Sequence, residues 1–118
     1  MRGIRGAICL SADDAADMRE AVATLLGEML AGNDLIADDI ISVLLTCTPD
    51  LHSAFPAAGA REFGLTDVPL LCAQEIDVEG ALARVVRVLI HAYSDRNPAE
   101  INHVYLRGAE ALRPDLSK

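Results

Sequence analysis

The segment Val85-Val86-Arg87-Val88-Leu89-Ile90 constrains this chain most, because it sets one cation among aliphatic, mostly β-branched neighbours. Such residues suit a pleated, packed surface, so the run 83–93 reads as a strand, although a short apolar run does not by itself exclude helix. A buried guanidinium there would lose its hydration, which is costly unless a partner replaces the water. Two readings of Arg87 stand side by side. It lies on the solvent face of a half-exposed strand or pairs with a structural carboxylate, or it recognises an anion.

The rest of the chain supplies the layers such a strand needs. Residues 3–10 read as a first strand, with Arg5 alone between Ile4 and Gly6. Gly3 and Gly6 beside it leave room for a ligand or another backbone. Ser11, Asp13 and Asp14 mark a helix start. Met18, Val22, Leu25 and Met29 then recur at spacings of three and four, which predicts an amphipathic helix ending near Gly32-Asn33. IISVLLTCT after Asp38-Asp39 reads as a buried strand, and residues 51–64 as a loop and short helix. Residues 68–72 predict a third strand with Pro69 at its start, and HVYL a last one. Residues 114–118 read as a mobile tail. The pattern is α/β within a single domain, residues 1–118, with one mixed sheet packed against helices.

Composition narrows the function. Apolar residues make up 52% of 118, with no Trp, two Phe and two Tyr, so the core is aliphatic. So high an apolar fraction in a short chain also points to surface buried between subunits. The formal net charge of −8 argues against nucleic acid and against anionic membranes. Nine of the ten basic residues are Arg, the type suited to two-pronged recognition of carboxylate or phosphate, although genomic composition bias accounts for such an excess equally well. Cys9, Cys47 and Cys72 form no C-x-x-C pair, and His52, His91 and His103 show no ligand spacing. No metal and no cofactor are expected, and a reducing cytoplasm is the expected compartment. No apolar run reaches transmembrane length.

Several motifs occur together in order: RGIRGA at 2–7, TPDLHSAFPAAGAR at 48–61, CAQEIDV at 72–78, Arg87, and HVYLRGAEALRPDLS at 103–117. In these the chain resembles the small, trimeric, monofunctional chorismate mutases over nearly its whole length. The resemblance implies a ferredoxin-like α+β domain, three copies of which form a pseudo-α/β barrel with active sites between subunits. It implies rearrangement of chorismate to prephenate, a step of aromatic amino-acid biosynthesis that uses no nucleophile, proton shuttle or metal.

By the same resemblance, Arg87 faces the ether oxygen and the side-chain carboxylate of the substrate, and Arg5 and Tyr105 grip that carboxylate. Glu75 accepts a hydrogen bond from the ring hydroxyl, with Cys72 beside it. Phe55, Ala57, Leu71 and Leu112 form apolar walls, and Arg61 and Arg113 lie near the mouth. The chain departs from the family pattern at Ala58, where a basic residue is often found, and at Leu71, where a small hydroxyl residue is expected. It also stops soon after Leu116. These departures bear on affinity more than on chemistry. Two other classes fit parts of the pattern: a trimeric imine or enamine deaminase, and a non-catalytic module that binds a metabolite.

Overall fold

The computed structural model describes residues 1–113; the tail expected at 114–118 lies outside the described residues. Among the described residues the chain forms strand β1 (Arg2–Cys9), helix α1 (Ala15–Ala31), strand β2 (Ile40–Cys47), helix α2 (Pro56–Phe63), and strands β3 (Leu70–Gln74), β4 (Val85–Ala92) and β5 (Val104–Leu106). The strands make one sheet in the order β3-β2-β4-β1-β5. β4 runs antiparallel to both β1 and β2, while β5 is parallel to β1 and β3 to β2. β1-α1-β2 is thus a split βαβ unit with β4 inserted between its strands.

Both helices pack on the same side of the sheet. α1 buries Met18, Val22, Leu25 and Met29, the residues its spacing predicts, together with Ala21, Leu26 and Leu30, each large one contributing roughly 1.5–3 kcal/mol of burial. Ile4, Ile8, Val43, Leu45, Val86, Val88 and Ile90 meet them from the sheet. Gly6 belongs to this contact: a Cβ there would collide with Met29 Sδ and sit 3.1 Å from Leu25 Cδ1. Its missing side chain therefore admits α1, a close approach on the helix side of the sheet.

The helix begins one residue after the expected acidic pair. Asp14 is the N-cap but makes no side-chain cap bond. Asp17 instead gathers the approach, its Oδ2 accepting from the Ser11 N–H and hydroxyl and the Ala12 N–H. Asp13 reaches across the fold, its Oδ1 accepting the N–H groups of His52 and Ser53 at 3.0 Å each. Burial works against that charge, but these bonds and His52 hold the carboxyl below its usual range. At the other end Asn33, buried, donates to Met29 O and Asn102 O and accepts from the Asn102 N–H.

Among the described residues neither α1 nor α2 packs on the opposite face of the sheet. Side chains alternate across a strand, so Arg5 and Ala7 face away from the core that Ile4 and Ile8 enter. Among the described residues one end of this face is covered, where a 3-10 turn at Ala109–Leu112 sets Ala109 on Ala7 and Val85. β2, expected to be buried, is buried on its helix side alone, and Leu44 is exposed on the bare side.

Candidate active site

One transverse row of the bare face collects residues from all five strands. Cα partners run Tyr105–Ala7–Arg87–Thr46–Ala73 from β5 to β3. Ala7 is small, and Tyr105 and Arg87 on either side of it line the same cleft. The neighbouring row runs Arg5–Leu89–Leu44–Leu71. A cleft of about 320 Å³ opens here, lined by Arg5, Gly6, Leu44, Thr46, Arg87, Val88, Leu89, Tyr105 and Arg113. That volume falls at the lower end of small-ligand sites.

Glu75 completes the cluster from the segment that leaves β3. Its N–H donates to Cys47 O at 3.0 Å, which holds the chain against β2 beyond the last strand residue. Its carboxylate receives the Thr46 hydroxyl on Oε2 at 2.7 Å and lies 3.1 Å from Arg87 Nε through Oε1. The Glu75 side chain is only 15% exposed, while that of Arg87 is 50% exposed. Arg87 is therefore anchored at its base and open at its tip. Both parts of the solvent-face reading hold in the single chain, yet the pair sits beside two further guanidiniums. Among the described residues three guanidiniums and one carboxylate gather at this cleft, in a chain whose formal charge is −8. Guanidiniums so gathered attract an anionic ligand.

His103 lies at the β1 edge of the cluster, its Nδ1 accepting the Arg5 N–H at 3.0 Å. Burial, then the positive charges of Arg5 and Arg113, lower its pKa from 6.5, so the neutral acceptor form is favoured.

The other expected residues separate into a second group. Cys72 points toward the helix side, where it lines a cavity of about 450 Å³ with Cys47, Leu51, Phe55, Pro56 and Gln74 among others. Phe55 is 74% exposed there. Burial, with Cys72 and Glu75 nearby, pushes the Cys47 thiol up, so it stays protonated. Ala57 is buried in the core. Arg61 is exposed in the last turn of α2 and lines neither cavity. Leu71 is 61% exposed beside Leu44, and Leu112 packs on the Ala7 cluster. One chain thus brings together Arg5, Arg87, Tyr105, Arg113 and Glu75, but not these with Phe55, Cys72 or Arg61.

The structure adds Thr46, which the sequence offers only as a β-branched strand residue. It also explains TPD without chemistry. The Thr48 hydroxyl donates to Asp50 Oδ1 and accepts the Val85 N–H, while Asp50 takes the Arg84 N–H, fastening this loop to the start of β4. Among the described residues no cluster of His, Cys, Asp and Glu is arranged to hold a metal, and no helix is long and apolar enough to cross a membrane.

Fold and cluster together define a small α+β protein that gathers guanidiniums on the open face of its sheet. The sequence matches the family described as chorismate mutase type I over residues 1–116, and the chain belongs to that family. It is 45% identical over 117 residues to chorismate mutase AroH of Thermus thermophilus, covering 98% of this chain and 96% of that one. It is 40% identical over 118 residues to chorismate mutase AroH of Bacillus subtilis, covering 99% and 93%. The solved structure of a chorismate mutase from Clostridium thermocellum superposes with a TM-score of 0.92 at 43% identity, covering 94% of this chain and 99% of that one. The activity is accordingly that of a chorismate mutase, an isomerase.

Proposed function

We propose that this chain rearranges chorismate to prephenate by fixing charge and conformation, with Arg87 as its central cation. The reaction breaks a carbon–oxygen bond and forms a carbon–carbon bond within one molecule. Negative charge grows on the departing ether oxygen, so a preorganised guanidinium aimed there stabilises the transition state more than the ground state. Arg87 also meets the side-chain carboxylate, which Arg5 and Tyr105 grip, holding the flexible side chain over the ring. Glu75 has lone pairs left for the ring hydroxyl after Thr46 and Arg87 are served. Arg113 and Arg61 draw the ring carboxylate to the mouth. The observation that carries this reading is the Tyr105–Ala7–Arg87 row with Arg5 and Glu75 beside it.

The complete site forms between subunits of a homotrimer in this proposal. Phe55 and Cys72 line one cavity and Arg5 and Arg87 another, so a second copy is needed to close one set over the other. Exposed Leu71 on the bare face, with exposed Ile76 and Val78 in the segment after β3, supplies apolar surface for that contact. Phe55, Ala57, Leu71 and Leu112 then form the walls, with Cys72 beside Glu75. The compartment is a reducing cytoplasm, in keeping with three free cysteines.

Loss of chorismate absorbance with purified protein tests the activity, and a rate equal to the spontaneous one would refute it. Solution mass tests the assembly; an active monomer would refute the shared site.

A further inference from the structure

Thr46 stands directly opposite Arg87 across β2 and β4. Its hydroxyl donates to Glu75 Oε2 at 2.7 Å, and Glu75 Oε1 lies 3.1 Å from Arg87 Nε. The carboxylate is therefore held at both oxygens, by a different group at each. Its backbone is held too, through the N–H that donates to Cys47 O, one residue along from Thr46. Among the described residues Arg87 has no hydrogen bond from Nη1 or Nη2.

We propose that Thr46 is a positioning residue for the rearrangement: it holds the Glu75 carboxylate so that Arg87 is gripped at Nε and turns both Nη groups to the substrate. The inference rests on the roles given above to Arg87 and Glu75. A carboxylate and a guanidinium left to themselves favour a two-pronged pair. Such a pair would take one Nη as well as Nε and remove a donor from the reacting oxygen. The Thr46 hydroxyl works against this by orientation: it draws Oε2 to itself at 2.7 Å and leaves Oε1 toward Arg87 Nε. Thr46 touches no substrate in this scheme; its effect passes through Glu75 to Arg87.

The test compares Thr46→Val and Thr46→Ser in the full-length protein. Valine keeps the shape and suits a strand, so an unchanged thermal midpoint is expected. Without the hydroxyl, kcat should fall about tenfold to a hundredfold, the range for a displaced reacting group. KM should move much less, because Arg5, Tyr105 and Arg113 still hold the anion. Serine should restore kcat. The 1H–15N resonance of the Arg87 Nε–H, assigned by its loss in Arg87→Lys, should shift in Thr46→Val and not in Thr46→Ser. Placed on Glu75→Gln, Thr46→Val should have little further effect on that resonance.

Equal kcat in wild type and Thr46→Val, failure of serine to rescue, or an Arg87 resonance indifferent to both changes would overturn the proposal. The reading it rests on fails separately. If Arg87→Lys turns over normally, Arg87 is not the working charge and the role of Thr46 falls with it. If Arg87→Lys is crippled while Thr46→Val is not, only the role of Thr46 is lost.

Discussion

Arg87 and Glu75 meet at 3.1 Å between a half-exposed guanidinium and a carboxylate that is only 15% exposed, with Nε facing Oε1. Geometry of this kind fixes a charge without consuming it. With Arg87 half exposed, solvent screening holds the contribution of the pair to stability to about 1 kcal/mol. Its value lies in direction.

Arg87→Lys is therefore expected to separate stability from catalysis. An ammonium is a point charge on a flexible stem and cannot contact Glu75 and two substrate oxygens at once. We expect kcat to fall about 10²–10³-fold, as when one preorganised donor is removed from an oxyanion site. The urea midpoint should barely change. Steady-state kinetics with chemical denaturation checks both, and a loss of activity that tracks a loss of folded protein would contradict the assignment.

Much of this was legible in residue order. The three-and-four spacing from Met18 to Met29 is the buried face of α1, and the Val and Ile content of 85–90 is a strand. The bare face was not legible. β2 is apolar on both sides, so alternation could not tell that Leu44 lies outside while Val43 and Leu45 lie inside. The partner of Arg87 was hidden for another reason. Glu75 is brought back to β2 by one backbone hydrogen bond after β3 has ended, and no local signal encodes that return. Thr46 was masked by its own suitability for a strand. Gly6 was visible as an opening, but whether a ligand or a helix filled it depended on where α1 crossed. The family motifs named the residues proposed for the site; the split between two cavities appears only when strand register is known.

Gly6→Ala should destabilise the fold. The new methyl enters the space of Met29 Sδ, and Leu25 stands just beyond. Met29 is flexible but fully buried, so its displacement disturbs the seam between α1 and β1. Overpacking of this kind costs about 1–3 kcal/mol. Urea unfolding measures it, and a further Met29→Ala change should recover part of the loss. A stable single variant whose only defect was substrate affinity would show that the glycine serves the cleft instead.

His103→Gln should flatten the pH dependence of stability. Burial and the charges of Arg5 and Arg113 lower the folded-state pKa of His103 from 6.5. Between that lowered value and 6.5 the unfolded chain binds more protons, so stability rises with pH across this window and is lost as pH falls through it. Protonation also ends acceptance of the Arg5 N–H at Nδ1. Glutamine retains an acceptor without the titration. Unfolding free energies from about pH 7.5 to about pH 5 should decline less in the variant than in wild type; parallel profiles would exclude His103 as the source.

Glu20→Gln probes the fastening of the strand that carries Tyr105. Arg107, two residues beyond Tyr105, donates from Nη1 and Nη2 to the two oxygens of Glu20 on α1, each at 2.7 Å, and the Thr24 hydroxyl adds a third bond. The Arg107 bonds first, then Thr24, lower the Glu20 pKa from 4.5 to about 2. A depressed carboxyl stabilises the fold fully above its unfolded pKa and loses that contribution as pH falls toward the folded value. Both side chains are close to half exposed, so screening limits the net effect to about 1 kcal/mol or less, even with two-pronged geometry. Wild type should therefore exceed Glu20→Gln in urea midpoint at neutral pH. The gap should narrow as pH falls from 4.5 toward about 2, and added salt should shrink it at neutral pH. A gap that persists unchanged through that acid window would mean that Glu20 acts by shape and packing, and that the charge on it does not hold β5 to α1.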